Sequence, residues 1–190
     1  MKSKITTRTG DDGTSMALSG GRFSKGHPIM ECVGCVDELR AQTALLRQSL
    51  LSGGREEHVA FLEWLMHVYF VIGATCSDPL DKRPEWHPVQ LAPEHLDRLE
   101  AEQLRLEAQL TLPKTFILCA TTPSAAQADV TAAAARRLER AVVRMMDEEP
   151  ECRLRPVIVF VNRLSDYLYI LARHIEGGSH HPVDYDLLRG

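Results

Sequence analysis

Three groups of residues have the types and spacing to do chemistry. The first is Thr7-Arg8-Thr9-Gly10-Asp11-Asp12-Gly13-Thr14-Ser15, followed by Gly20-Gly21-Arg22 and Lys25. Closely spaced glycines let backbone N–H groups turn toward an anion, hydroxyls add donors, and Arg8 and Lys25 add positive charge, which are the parts of a phosphate cradle. The Walker spacing and its Gly-Lys-Ser/Thr ending are absent, and the composition equally suits a surface turn. Asp11 and Asp12 offer the carboxylates that usually hold a hydrated magnesium ion. The second group is Arg136-Arg137-Leu138-Glu139-Arg140 with Arg144. Arg136, Arg140 and Arg144 fall on one helix face, where like charges repel unless something negative lies opposite, whether a phosphate chain, a partner's carboxylates or solvent counterions. The third is Asn162-Arg163-Leu164-Ser165-Asp166-Tyr167, whose polar residues are poor helix-interior choices and predict a buried hydrogen-bond network between core leucines.

These groups need elements to hold them. Residues 1–29 are rich in Gly, Thr, Ser and charge and carry no helical period, so they form a long structured loop or arm. Val33, Val36, Leu39, Thr43, Leu46 and Leu50 then recur at steps of three and four and stop at Gly53-Gly54, an amphipathic helix with a glycine end. A second helical run holds Val59, Leu62, Leu65, Met66, Tyr69 and Ile72 and ends near Asp78-Pro79, and residues 79–93, with four prolines, connect it onward. Pro93 suits the first turn of a third helix through Leu96, Leu99, Gln103, Leu106 and Leu110, broken by Pro113. Pro123 opens a fourth that runs through consecutive alanines to Met146. In the fifth, Val157, Val161, Leu164, Leu168, Leu171 and Ile175 step regularly to Gly177-Gly178; Val157–Val161 alone would suit a buried strand, but the continued period decides for helix. The expectation is an all-α, five-helix bundle in one domain, with an arm at 1–29, the bundle at 30–178 and a tail at 179–190 of no evident purpose.

The composition sets bounds. With 190 residues, 44% apolar, 25% charged and a net charge of −4, the chain is long enough for one core and argues against disordered, collagen-like or broadly nucleic-acid-binding classes. No stretch is read as a bilayer span and no apolar signal core follows Met1-Lys2-Ser3-Lys4, so a cytoplasmic protein without a membrane or nucleic-acid partner is expected. Five cysteines, an odd number thinly spread, argue against a disulfide framework, and Cys32 and Cys35 read as reduced, packed thiols. The eight histidines show no metal-ligand spacing, so no protein-held metal is assigned.

Taken together, the motifs resemble the PduO-type ATP:cob(I)alamin adenosyltransferases. The resemblance runs over nearly the whole chain, in order, through Thr7–Thr14, Lys25, Val36-Asp37-Glu38-Leu39, Arg136–Arg140 and Asn162–Leu168. It implies a homotrimer with sites between neighbouring subunits, and an enzyme that uses ATP, magnesium and a reduced corrinoid such as cobalamin. By resemblance Thr7, Arg8, Thr9, Gly10, Ser15 and Lys25 hold the phosphates, Arg136, Arg137, Glu139 and Arg140 complete the nucleotide site, and Asn162 contacts the nucleotide. Arg136, Arg137, Asp37 and Phe116 would serve the reaction itself, Phe116 as the ring that excludes the lower axial ligand of cobalt.

The chain also departs from that pattern. Where the family has Pro-Gly-Gly after the Phe-Ile-Leu run, this sequence has Cys119-Ala120-Thr121, a usual histidine is Asp129, and an arginine that would pair across subunits with Asp37 is Ala132. Arg40, three residues after Asp37, is the expected replacement partner. Because the changes cluster on the corrinoid side, a catalytically weakened paralogue that binds ATP or a corrinoid is the alternative, and a ligand-free structural bundle is a third.

Overall fold

A computed structural model describes residues 6–112, 114–118, 120 and 122–189; Met1–Ile5, Pro113, Cys119, Thr121 and Gly190 lie outside the described residues. The chain runs β1 (Thr14–Met16), β2 (Arg22–Ser24), α1 (Pro28–Ser52), α2 (Val59–Ser77), α3 (Pro93–Glu107), α4 (Pro123–Glu148) and α5 (Arg155–Ile175), with short 3-10 turns before α2, before α3 and in the tail. All five expected helices form. Their starts follow local chemistry: Pro28, Pro93, Pro123 and Pro156 occupy first turns, where the missing N–H costs nothing. The His27 ring accepts from the Ile29 N–H at 3.2 Å and Thr122 accepts from that of Ala125 at 3.4 Å. Gly177 and Gly178 follow α5 at φ +63° and +86°, a left-handed stop that Cβ-bearing residues resist. α3 ends two turns before Pro113, because Leu110 leaves the helix although it continues the apolar period.

Each helix buries one stripe. α1 packs against α2 and α4, α4 against α5, and α5 against α3. Leu39, Leu46, Leu138, Leu164 and Leu168 are fully buried at these seams, each contributing about 1.5–3 kcal/mol by area removed from water. Ala125, Ala128, Ala132 and Ala135 form a small-residue row along α4 that lets its neighbours approach closely. Cys32 and Cys35 are buried and unbridged, as expected.

Three expectations need correction. The arm is not only a loop: β1 and β2 pair antiparallel, with Ser15 opposite Phe23, in strands too short to show a period. The segment Glu56–Ser77, 22 residues, is long and apolar enough by length and composition to cross a bilayer. Its Leu62, Leu65, Tyr69, Ile72 and Cys76 are instead packed inside the bundle, so the core accounts for its apolarity. The stretch 162–167 is not one buried network. Asn162 is exposed, Arg163 reaches Glu100 on α3 and Asp166 on its own helix, and of the polar residues only Ser165 and Tyr167 are buried, since successive helical residues point 100° apart.

Candidate nucleotide and corrinoid site

The arm closes around Arg22. Its guanidinium donates to Thr14 Oγ1 at 2.6 Å, to the Thr9 carbonyl and to Asp12 Oδ2 at 2.9 Å, while Asp12 Oδ1 accepts from the Thr14 hydroxyl and N–H at 2.7 and 3.0 Å. These bonds, the Thr14 hydroxyl first, pull the Asp12 carboxyl down to about pKa 2. Asp12 therefore braces the turn with both its oxygens, and Asp11 stays at the surface. Thr7 and Thr9 bring their hydroxyls within 3.0 Å of each other across Arg8, which sits at φ +61°. A Cβ on Gly10 would lie 3.3 Å from Lys25 Nζ, so the glycine gives the ammonium its place above the loop. Thr7, Arg8, Thr9, Lys25 and the half-buried Gly10 and Ser15 thus share one exposed hairpin, pinned to the end of α2 by the Leu18 N–H on Ser77 Oγ at 2.9 Å.

On α4, Arg136, Arg137, Arg140 and Arg144 are all exposed. Arg137 pairs with Glu38 of α1, and Glu139 accepts from Asn162 Nδ2 at 2.9 Å, so Glu139 orients the asparagine across the α4–α5 seam. Among the described residues no carboxylate pairs with Arg136, Arg140 or Arg144, leaving a cationic stripe open to an external anion. Asp37 on α1 pairs with Arg40 at 2.9 Å, and Arg40 also covers the Phe70 ring at 4.5 Å. Ala132 is 2% exposed, inside the bundle, and takes no part in this surface.

Phe116 lies apart from these groups. It is 77% exposed, on the segment leading into α4, and Leu118 beside it is 56% exposed. The tail pairs with this segment: the Leu118 N–H donates to His181 O at 2.8 Å and the Val183 N–H to Phe116 O at 2.9 Å. Asp129 accepts from the Ala120 N–H at 3.0 Å and from Arg173 at 2.6 Å. Sequence reasoning missed the roles of Arg22, Arg173 and the tail; only Arg22 had a visible signal, as a cation among the arm's glycines. Ser19 and Phe23 of the arm line one pocket with Met145 and Glu148, roughly sixteen residues or about 24 Å of helix along α4 from Asp129, which holds the Ala120 N–H.

Residues 5–175 match the cobalamin adenosyltransferase family. The chain belongs to that family. It is 33% identical over 177 residues to the corrinoid adenosyltransferase PduO of Salmonella typhimurium, covering 93% of this chain but 51% of that protein. It is 31% identical over 171 residues to a corrinoid adenosyltransferase of Mycobacterium bovis, covering 90% and 87%. A variant PduO-type ATP:corrinoid adenosyltransferase from Lactobacillus reuteri, solved with cobalamin and ATP, superposes with TM-score 0.85 at 26% identity over 96% of both chains. Thus the chain spans nearly all of some adenosyltransferase relatives and about half of the Salmonella protein.

Proposed function

We propose that this chain transfers the 5′-deoxyadenosyl group of ATP to the cobalt of reduced cob(I)alamin, giving adenosylcobalamin and triphosphate. The observation that carries the reading is the unpaired Arg136, Arg140 and Arg144 stripe together with Lys25 above Gly10, an anion site in search of its anion in a member of this family. The cobalt electron pair becomes the new Co–C5′ bond as the C5′–O5′ bond breaks, and the C5′–O5′ bonding pair leaves on the oxygen of the triphosphate. Since the substrate is the nucleophile, the protein needs no Ser or Cys of its own; it supplies position and charge. Thr7, Arg8, Thr9, Gly10, Ser15 and Lys25 would bind the phosphates, with Arg136, Arg137 and Arg140 stabilising charge that builds on the leaving triphosphate. Glu139 would hold Asn162 toward the nucleotide, and Asp37 with Arg40 would support the site from α1. Magnesium would neutralise phosphate charge and arrive with ATP. Exposed Phe116 and Leu118 would form the apolar wall against the corrin and exclude water and a lower axial ligand.

The same reading calls for a homotrimer with sites between subunits. The arm and Phe116 of one chain are too far apart to flank a single C5′ carbon, whereas the arm of one copy can meet the Phe116 end of the next. Anaerobic turnover of purified protein with magnesium, ATP and chemically reduced cob(I)alamin, followed by the spectrum of adenosylcobalamin, tests the activity. No product from a folded protein that still binds ATP would replace it with the nucleotide-binding paralogue, which the absence of an arginine at buried Ala132 favours.

A further inference from the structure

Phe116–Leu118 and Ala120 are held on two sides, yet the large apolar side chains of Phe116 and Leu118 face outward. On one side the tail adds a short antiparallel pairing, with Ile117 opposite Pro182, the Leu118 N–H on His181 O, and the Val183 N–H on Phe116 O. On the other, Asp129 Oδ2 accepts the Ala120 N–H while bound to Arg173, whose side chain is 1% exposed. Arg173 Nε lies 3.4 Å from Glu176, which in turn lies 3.6 Å from His180 at the root of the tail, and the guanidinium faces the Tyr169 ring at 5.1 Å. The two restraints therefore meet at the Asp129–Arg173–Glu176 group, with the His180 ring beside Glu176. Ordering a segment costs conformational entropy, and exposed Phe116 and Leu118 return no burial in exchange, so the restraint serves something other than the core.

We infer that Asp129, Arg173 and the tail strand Pro182–Val183 are positioning elements for Phe116, fixing the wall that meets the corrinoid where relatives with Pro-Gly-Gly would rely on a different backbone. None of them touches the reacting atoms; they act through the peptide at Ala120 and the carbonyl of Phe116. A charge-assisted bond to a buried arginine keeps the Asp129 carboxylate in one orientation, and that orientation sets the Ala120 N–H. The inference rests on the reading that Phe116 faces the lower side of the corrin, which is what makes cob(II)alamin easier to reduce.

The test measures full-length variants with two substrates, cob(II)alamin plus a reductant and pre-reduced cob(I)alamin, together with the Kd for ATP. Phe116→Ala is the reference. Val183→Pro removes one tail donor and leaves the buried pair intact; Asp129→Ala removes the Ala120 acceptor, and Asp129→Asn restores it without the charge. Val183→Pro and Asp129→Ala should each lower the cob(II)alamin rate at least about fivefold more than the cob(I)alamin rate, with ATP affinity within about twofold and Asp129→Asn intermediate. Equal losses on both substrates, no loss, or a weakened ATP Kd would overturn the positioning role if Phe116→Ala itself shows the unequal loss. Equal losses in Phe116→Ala would instead remove the reading of Phe116, and the inference with it. Should Asp129→Ala fail to fold, Val183→Pro decides.

Discussion

Replacing Arg40 by alanine separates a surface contact from an interface contact. Within one chain Arg40 meets Asp37 at 2.9 Å, but the two side chains are 36% and 60% exposed, and such a pair is worth about 0.2–1 kcal/mol. The guanidinium over Phe70 at 4.5 Å adds about 0.5–1 kcal/mol. An isolated chain would therefore lose at most about 2 kcal/mol, and at about 2–4 °C per kcal/mol its Tm would fall by no more than about 8 °C. If a neighbouring subunit covers Asp37 in a trimer, losing Arg40 leaves a desolvated carboxylate alone, at about 3–5 kcal/mol. That corresponds to a loss of roughly two to four orders of magnitude in subunit affinity. Sedimentation over a range of concentrations, with the ATP Kd measured on the same samples, reads the difference. Asp37→Asn placed on Arg40→Ala should recover most of the loss, because the stranded charge goes with it. Subunit and ATP affinities of Arg40→Ala within about twofold of the parent would refute the reasoning and leave Asp37–Arg40 as an ordinary surface pair.

Lys25→Ala should weaken ATP binding about tenfold or more by removing a charge-assisted phosphate contact, and an unchanged calorimetric Kd would take Lys25 out of the site. Asp12→Ala should loosen the arm and weaken ATP, while Asp12 itself, held at about pKa 2, should keep the brace formed at pH 4–5 and lose it only as pH falls from about 3.8 through 2; an NMR titration of its carboxyl at the ordinary aspartate value would contradict this. His58 is fully buried against His174 at 5.2 Å, and burial holds both rings below their ordinary pKa. Below about pH 6.5 the unfolded chain takes protons that the folded one refuses, so stability is full above that pH and falls as it drops. His58→Phe should flatten this fall in Tm, and an unchanged slope would show that the pair does not set it.

The legible parts of the molecule were local. Leu39, Leu46 and Leu50 with Gly53, or Val157 through Ile175 with Gly177, state a helix, its buried face and its stop within 25 residues, because period, proline and glycine act on neighbours along the chain. The motifs in Thr7–Ser15 and Arg136–Arg140 were visible for the same reason, as was the Asp37–Arg40 pair at one helical turn. Two local patterns mislead: the polar run 162–167 suggests one network although its residues point in several directions, and the 22 residues at 56–77 are interrupted by polar side chains yet apolar enough overall to pass for a membrane span.

What the tertiary structure alone decided joins residues far apart in sequence. Pairing Val183 with Phe116, or Arg173 with Asp129, depends on α4 and α5 lying antiparallel, so that the tail returns to the start of α4; no period announces a two-bond strand pairing. The hairpin alone brings Arg22 onto Asp12, and packing alone places Ala132 in the core. The separation of the arm from Phe116 likewise follows from which end of α4 each element reaches. Sequence alone determined the helices, their inward faces and the family's residues, since these depend on contacts within a few turns; packing decided which charged groups are occupied and which stay open to a ligand, since burial and pairing depend on the whole fold.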